Sequence, residues 1–397
     1  MILAAVPDLL FRSRIGEVAR LRGIEVRFVR DPETLANEAA SATLLLLDLD
    51  AEALRPVETI AEVRKRAPEV RILGFLSHVN RELRERAVQA GCSETQSRGE
   101  FTRQLPEILA PSFVRVRGFI EVCGRDRVKW LQGLVTAELT TLVPGGGCLA
   151  AACSRQGKMV GVMVVRVFED RLLLEIEPEL VAPLRAHFER FLIMEDVALS
   201  DRIQPVREVF ASQGGLPRLP WFHFVERDGA VHSANRSLGS EGWTIFPATA
   251  SSTLSEAEYE SRRIANGWPR WGVDMGTDEL PMEAGLDPAA ISYSKGCYLG
   301  QEVILRVKTY SEPPKRLVLL ALEGKVERGA SVTVAGEAIG NVTSVAESVA
   351  LATVRKQYRS PGTRVEVAGI PATVRELPWH AYAERPPDKP QAETGRI

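Results

Sequence analysis

Ser294-Lys295-Gly296-Cys297-Tyr298-Leu299-Gly300-Gln301-Glu302 places a thiol between two glycines, with an ammonium two positions before it and a carboxylate five after. Glycines on either side leave such a cysteine open to a ligand. A nearby cation favours thiolate, and a helix beginning near Gly300 would add its free N–H groups to that effect. Val303-Ile304-Leu305 suits a strand equally well, so the stretch reads as loop-then-helix or loop-then-strand. Free cysteine is most often a small buried hydrophobe. Two glycines, Lys295, Gln301 and Glu302 make a poor core segment, however, and a good loop, so the stretch reads as a functional site centred on Cys297.

Just upstream lie Arg263-Ile264-Ala265-Asn266-Gly267-Trp268-Pro269-Arg270-Trp271-Gly272-Val273-Asp274 and Leu280-Pro281-Met282-Glu283-Ala284-Gly285-Leu286. A flat aromatic, a cation and carboxylates near glycine turns suit a planar polar heterocycle with an anionic tail. Trp271 would serve equally as a core anchor.

Arg263 to Asp274, Pro281 to Leu286 and Lys295 to Glu302, in this order and spacing, resemble the YgfZ family of folate-binding proteins. These are relatives of the glycine-cleavage T-protein and include the mitochondrial factor for assembling [4Fe-4S] proteins. The likeness runs from about Val114 to Val367, with Trp130-Leu131-Gln132-Gly133 and Thr136 in its opening segment and Ala338 to Ser344 in its barrel. It implies a cavity between domains for tetrahydrofolate or a derivative, with Cys297 as the signature thiol. Arg263, Trp271, Asp274, Glu283, Lys295, Gly296, Tyr298, Gly300, Gln301 and Glu302 are the implied folate-site residues. The implied role is maturation or repair of iron-sulfur enzymes, with apoproteins or assembly factors as partners. One departure speaks against turnover as a folate-dependent aminomethyltransferase, the alternative function in one-carbon metabolism. After Gln156-Gly157-Lys158-Met159, where the T-protein carries an aspartate that addresses the pterin, Val162 or its neighbour Gly161 aligns here, and neither offers a carboxylate.

The first 110 residues have a different texture. Buried strands are expected at Ile2 to Val6, Ile24 to Val29, Leu44 to Leu47 and Ile72 to Leu76. Helices are expected around Leu9 to Leu21, Pro32 to Ala39, Ala53 to Ala67 and Arg81 to Ala90. This βα alternation predicts a doubly wound parallel sheet with function at the carboxyl ends of its strands. It resembles a response-regulator receiver domain with Asp48 as the candidate phosphoacceptor. That family holds magnesium with two acids after its first strand, whereas Val6-Pro7-Asp8 offers one at a shifted place, and Arg98 stands where the family keeps a lysine. A degenerate module retained for docking or dimerisation is therefore expected over a phosphorylation-controlled signalling protein. His78 reads as a loop or capping residue.

After Ala110-Pro111-Ser112 the reading is α+β over 112–310. Strands are expected at Val114 to Val122, Gly147 to Ala152, Met159 to Phe168, Arg171 to Ile176 and Asp196 to Ser200, with helices at Val128 to Leu142 and Glu179 to Phe191. Gly145-Gly146-Gly147 lacks the Lys-Ser/Thr of a phosphate loop and reads as a turn, as does Gly214-Gly215. Trp221 to Phe224 reads as a half-buried strand with His223 structural. Over 311–380, strands at Arg316 to Leu322, Ser331 to Val334, Glu337 to Ser344, Ala350 to Val354 and Arg364 to Val367 predict a small β-barrel. Residues 381–397 read as a disordered tail. The fold class is thus α/β plus α+β, closed by the barrel.

With 397 residues and an apolar share of 45%, the chain is long enough for two or three domains. A net charge of -2 argues against a nucleic-acid groove. Five cysteines without a C-x-x-C pair signal neither disulfide framework nor zinc site, and cannot permanently hold a [4Fe-4S] cluster. No metal site is expected. With no basic leader and no apolar run near ~20 residues, a soluble cytoplasmic protein is expected, away from membranes.

Overall fold

The computed structural model describes residues 1–77, 80–210, 216–239, 241–248 and 252–383, so His78, the Gly214-Gly215 turn and everything beyond Ala383 lie outside the described residues. The chain divides into two units. The first comprises Met1–Val114, Arg207–Gly215 and Ala248–Tyr259, and the second Arg115–Val206, Leu216–Pro247 and Glu260–Ile397.

The first unit holds β1 (Ile2–Ala5), α1 (Leu9–Arg22), β2 (Val26–Phe28), α2 (Pro32–Glu38), β3 (Leu44–Asp48), α3 (Pro56–Arg66), β4 (Arg71–Leu76), α4 (Arg81–Gln89), β5 (Glu94–Ser97) and α5 (Arg98–Ile108). The five strands run in the order β2-β1-β3-β4-β5, and the pairings are parallel. That is the doubly wound, receiver-like order with its switch point between β1 and β3. Side chains alternate between faces along each strand. Leu3, Ala5, Leu45 and Leu47 therefore join one core, while Ile2, Ala4, Leu44 and Leu46 join the other. Burial on both faces explains why these strands read as unbroken apolar runs. Later residues also belong to this unit: the Thr253 hydroxyl accepts from the Ser112 amide at 2.8 Å and donates to the Ala110 carbonyl at 2.9 Å.

An eight-stranded sheet follows, ordered β11-β12-β13-β10-β6-β9-β8-β7 in chain numbering. Its elements are β6 (Ser112–Cys123), α6 (Arg127–Gln132), β7 (Gly147–Cys153), β8 (Met159–Val167), β9 (Arg171–Ile176), α7 (Val181–Glu189), β10 (Ala198–Val209), β11 (Phe224–Arg227), β12 (Ala230–Asn235) and β13 (Gly242–Phe246). Next come α8 (Glu256–Ala265), α9 (Asp287–Ala290) and α10 (Gln301–Tyr310). This is a single open sheet of eight strands. Along β9, Leu172, Leu174 and Ile176 enter the main core, and Leu173 points the other way to join Phe119 and Phe246.

Three expected elements are corrected here. The helix expected over Val128 to Leu142 ends at Gln132. Beyond it the segment crosses the sheet edge, with Val135 bridged to Ala152 and the Thr136 amide donating to the Ala151 carbonyl at 2.9 Å. Its apolar residues are buried among neighbours on several sides, which mimics helical spacing. The strand near Asp196 to Ser200 extends to Val209. Trp221 and Phe222 form a turn before β11, with Phe222 at φ 70 and its ring stacked on Trp221 at 4.5 Å between centroids.

The remaining strands, β14 (Lys315–Leu322), β15 (Ser331–Val334), β16 (Glu337–Val345), β17 (Val349–Arg355), β18 (Arg364–Val367) and β19 (Ile370–Arg375), close a barrel in the order β14-β17-β16-β15-β18-β19. The strand missed by pattern is β19. Pro371 within it demotes the run on sequence grounds, because proline cannot donate to a ladder. Closure nonetheless depends on it, since β19 pairs with both β14 and β18. Residues His380–Ala383 form α11.

Candidate functional site

Cys297 is exposed on a loop running from Ile291 to Gly300, immediately before α10. The helix, not the strand, follows the motif. Gly300 is its N-cap residue at φ 84, and a Cβ there would stand 2.5 Å from the Ser154 carbonyl oxygen. Any side chain at 300 would face both a strained backbone and a clash. Gly296 is different: it is exposed, and a Cβ would meet nothing within 4 Å. The two flanking glycines thus have separate roles, one demanded by packing and one free of it.

The loop is fastened to the turn that follows α6. Ser292 donates its amide to the Thr136 carbonyl at 2.9 Å, and Leu299 donates to Gly133 at 3.0 Å. The Lys295 ammonium donates to the carbonyls of Gln132, Val135 and Ala137 at 2.8, 2.8 and 2.6 Å. Gln301 closes the loop from the other side, its amide donating to the Lys295 carbonyl at 3.3 Å and the Gly296 carbonyl at 3.5 Å. Glu302 is exposed in the first turn of α10. Burial lowers the Lys295 ammonium to about 8, against the opposing pull of Glu138 and Cys148.

The implied folate-site residues do not share one environment. Arg263 is 1% exposed and is saturated by Asp274 at 2.7 Å, Glu260 at 2.9 Å, the Trp268 carbonyl at 2.7 Å and the Ser344 hydroxyl at 3.0 Å. Asp274 also accepts from Thr343 at 2.6 Å, Ser344 at 2.7 Å and the Arg270 amide at 3.0 Å. This buried network ties the segment before the motif to β16. Trp271 lies in the main hydrophobic core together with Met275, Met282 and Tyr298. Glu283 is buried, spends one carboxylate oxygen on the Leu280 amide at 2.9 Å, and has its carboxyl raised by that burial. The Tyr298 and Tyr293 hydroxyls are buried without a hydrogen-bond partner. Spare hydrogen-bonding capacity therefore sits at Tyr293, Tyr298 and Glu283, while Arg263, Asp274 and Lys295 are committed within the protein.

On β8, Gly161 pairs with Ala152 and Val162 with Ala151. A Cβ at Gly161 would lie 2.8 Å from the Leu184 side chain, so α7 packs directly onto it. Two further thiols lie close to the motif in sequence pairing or charge: Cys153 ends β7 beneath Gly300, and Cys148 feels the Lys295 charge. Burial pushes each up to about 12, leaving both as inert thiols.

In the first unit, Asp48 closes β3 and is 2% exposed. Arg98 contacts it at 3.1 Å, with Asp50 at 3.1 Å and Asp8 at 3.8 Å. Asp8 is itself the N-cap of α1, accepting the Leu10 amide at 2.9 Å. Among the described residues no group of three or more His, Cys, Asp or Glu is arranged to hold a metal ion.

Sequence reading missed the partners that fasten the site. The carbonyls of Gln132, Val135 and Ala137 carry no side-chain signature, and Gly133 was the one visible sign of a turn there. Thr343 and Ser344 were seen as barrel residues, with no sign that their hydroxyls reach Asp274.

Residues 315–382 match the family model described as CAF17, C-terminal beta-barrel domain. The chain is 25% identical over 306 residues to a putative transferase, At1g60990, of the chloroplast of Arabidopsis thaliana, covering 68% of this chain and 71% of that protein. It is 29% identical over 225 residues to the mitochondrial iron-sulfur cluster assembly factor IBA57 homolog of Mycosarcoma maydis. That match spans 52% of this chain and only 55% of the fungal factor's own length. Among solved structures, the glycine cleavage system aminomethyltransferase T from Bartonella henselae is similar in fold, with a TM-score of 0.59, 19% identity, and coverage of 69% of this chain and 87% of that one.

Proposed function

We propose, for a chain that belongs to the GcvT/YgfZ-like folate-binding family with a separate receiver-like domain and a CAF17-type barrel, the role of a tetrahydrofolate-binding accessory protein in iron-sulfur assembly or repair. The observation that carries this reading is the exposure of Cys297 on a loop whose backbone is held on both sides. Thiolate is a soft ligand suited to iron-sulfur clusters, and an exposed one can reach a client protein's cluster or its iron. A cluster is cargo in this scheme, ligated by Cys297 together with the client's own groups, because four organised thiolates are the usual requirement. Tetrahydrofolate or a derivative would be addressed by the Tyr293 and Tyr298 hydroxyls, which are buried without a partner, and by the Glu283 carboxyl, which spends one oxygen on the Leu280 amide. The folate supplies a polar heterocycle that orders the region of the thiol, while the protein's residues bind and orient it.

Aminomethyl transfer is the lesser reading. Gly161 and Val162 carry no group that could take or give a proton near the folate nitrogen. The receiver-like domain serves as a docking or dimerisation module, bringing clients or assembly factors to the folate-binding unit. We place the activity in the cytoplasm, where a reducing environment keeps all five cysteines free, as they are here.

Replacing Cys297 by Ala in the full chain tests the role. The variant should retain wild-type thermal unfolding and lose complementation of a strain failing in [4Fe-4S] enzymes; normal complementation overturns the reading.

A further inference from the structure

The motif lysine has an unexpected surrounding. Lysine carries three N–H donors, and all three of Lys295 are used, on the backbone carbonyls of Gln132, Val135 and Ala137. The side chain is buried, its ammonium lies 5.1 Å from the centre of the Tyr298 ring, and the Glu138 charge opposes the effect of burial on it. Cys297, two residues on, faces solvent. With all three donors turned to these carbonyls, the Lys295 ammonium has none left to give the Cys297 sulfur. The direct hydrogen bond by which the ammonium would hold a thiolate is therefore not made.

We infer that Lys295 is a positioning residue: its ammonium stitches the Cys297 loop to the turn at 132–137, fixing the backbone that presents the sulfur. This rests on the reading of Cys297 given above. The other loop contacts fit the same purpose. Ser292 and Leu299 donate amides to Thr136 and Gly133 of that turn, while Gln301 holds the carbonyls of Lys295 and Gly296. Cys297 lies between these fixed points, and Lys295 is the sole side chain among them that crosses to the turn itself. A charged donor is the strong choice for three carbonyls, since charge-assisted hydrogen bonds are about twice as strong as neutral ones. The residue two before the thiol is then specified by the carbonyl cage, not by the chemistry of the sulfur.

The test uses Lys295→Met in the full chain, with two readouts on the loop. Amide hydrogen exchange at Leu299, whose N–H is bonded to Gly133, should accelerate about tenfold relative to the amides of β3 and β4 in the same variant, so that any fall in overall stability is discounted. The rate of Cys297 alkylation by iodoacetamide at neutral pH, followed by peptide mass spectrometry, should stay within about threefold of wild type, since the sulfur is already exposed. Either an unmoved exchange rate at Leu299 or an alkylation rate lowered about tenfold or more overturns the inference. Should Lys295→Met fail to fold, the wild-type protein decides: under a water-soluble acetylating reagent, Lys295 should react at least about tenfold more slowly than the half-exposed Lys158, and equal rates overturn the inference. If Cys297→Ala still complements, the proposed function falls, yet these readouts continue to judge Lys295 separately.

Discussion

Arg98 donates from one guanidinium nitrogen to both carboxylate oxygens of Asp48, each at 3.1 Å. It reaches Asp50 at 3.1 Å through a second nitrogen. A permanent cation thus sits among Asp48, Asp50 and Asp8 at the end of β3, and Asp8 also caps α1. The Asp48 carboxyl is raised by burial, against the pull of Arg98. The full chain incubated with acetyl phosphate and magnesium should show no label at Asp48, as read by intact mass. Arg98→Ala leaves the buried Asp48 carboxyl with the Asp50 amide but without its cation, and should cost about 2 kcal/mol or more in urea unfolding. A labelled wild-type chain, or a neutral Arg98→Ala, contradicts this account of the domain.

Much of the architecture was legible because buried β-strands advertise themselves. Leu44-Leu45-Leu46-Leu47 carries its burial on its face, whereas the alternation that opens Val114 to Val122 misleads: Val116 is exposed, and Arg115 and Arg117 turn inward to Glu177 and Glu175. The barrel strands stood out for the same reason except β19, where Pro371 hid a strand whose role is closure. At the site, the motif located the thiol, and Gly300 and Gln301 have structural reasons for their identity that spacing could not supply. Arg263, Asp274 and Lys295 show the limit most clearly. Charged residues near a motif look like ligands in one dimension, yet these three are satisfied by Ser344, Trp268 and the 132–137 turn, partners between 5 and 163 residues away in sequence. No local pattern encodes such pairings.

The Arg263–Asp274 pair supplies the next prediction. Both side chains are essentially inaccessible, at 1% and 0% exposure, and the pair is enclosed by Thr343 and Ser344 of β16. Removing one member of a buried pair strands the other, at about 3–5 kcal/mol. Asp274→Ala should therefore lower the urea midpoint strongly, while Asp274→Asn, which retains the acceptor for Thr343 or Ser344, should lose less. If the residue instead served folate directly, Asp274→Ala would weaken tetrahydrofolate binding by calorimetry at unchanged stability, the opposite pattern.

Acid should expose a second set of pairs. Glu177 is gripped by Arg115 at 2.5 Å and by Arg117, in the same cluster where Arg117 and Arg166 hold Glu175. Burial alone would raise the Glu177 carboxyl, but Arg117 and then Arg115 outweigh it and bring it down to about 2. A carboxyl whose folded pKa lies below its unfolded value binds fewer protons when folded. Its contribution to stability is therefore complete above the unfolded value near 4.5 and is lost as pH falls from there to about 2. The depression corresponds to stabilisation on the order of 3 kcal/mol at neutral pH. Glu177→Gln should reduce stability at pH 7 and flatten its decline between about 4.5 and 2, measured by urea unfolding across a pH series. Glu175, also held low by Arg166 and Arg117 despite its burial, shares Arg117 with Glu177, so the expected sign is a shallower decline in the variant and not its complete loss. Parallel curves for wild type and variant through that window would mean that the arginines stabilise the strands by packing alone, with no net gain from charge.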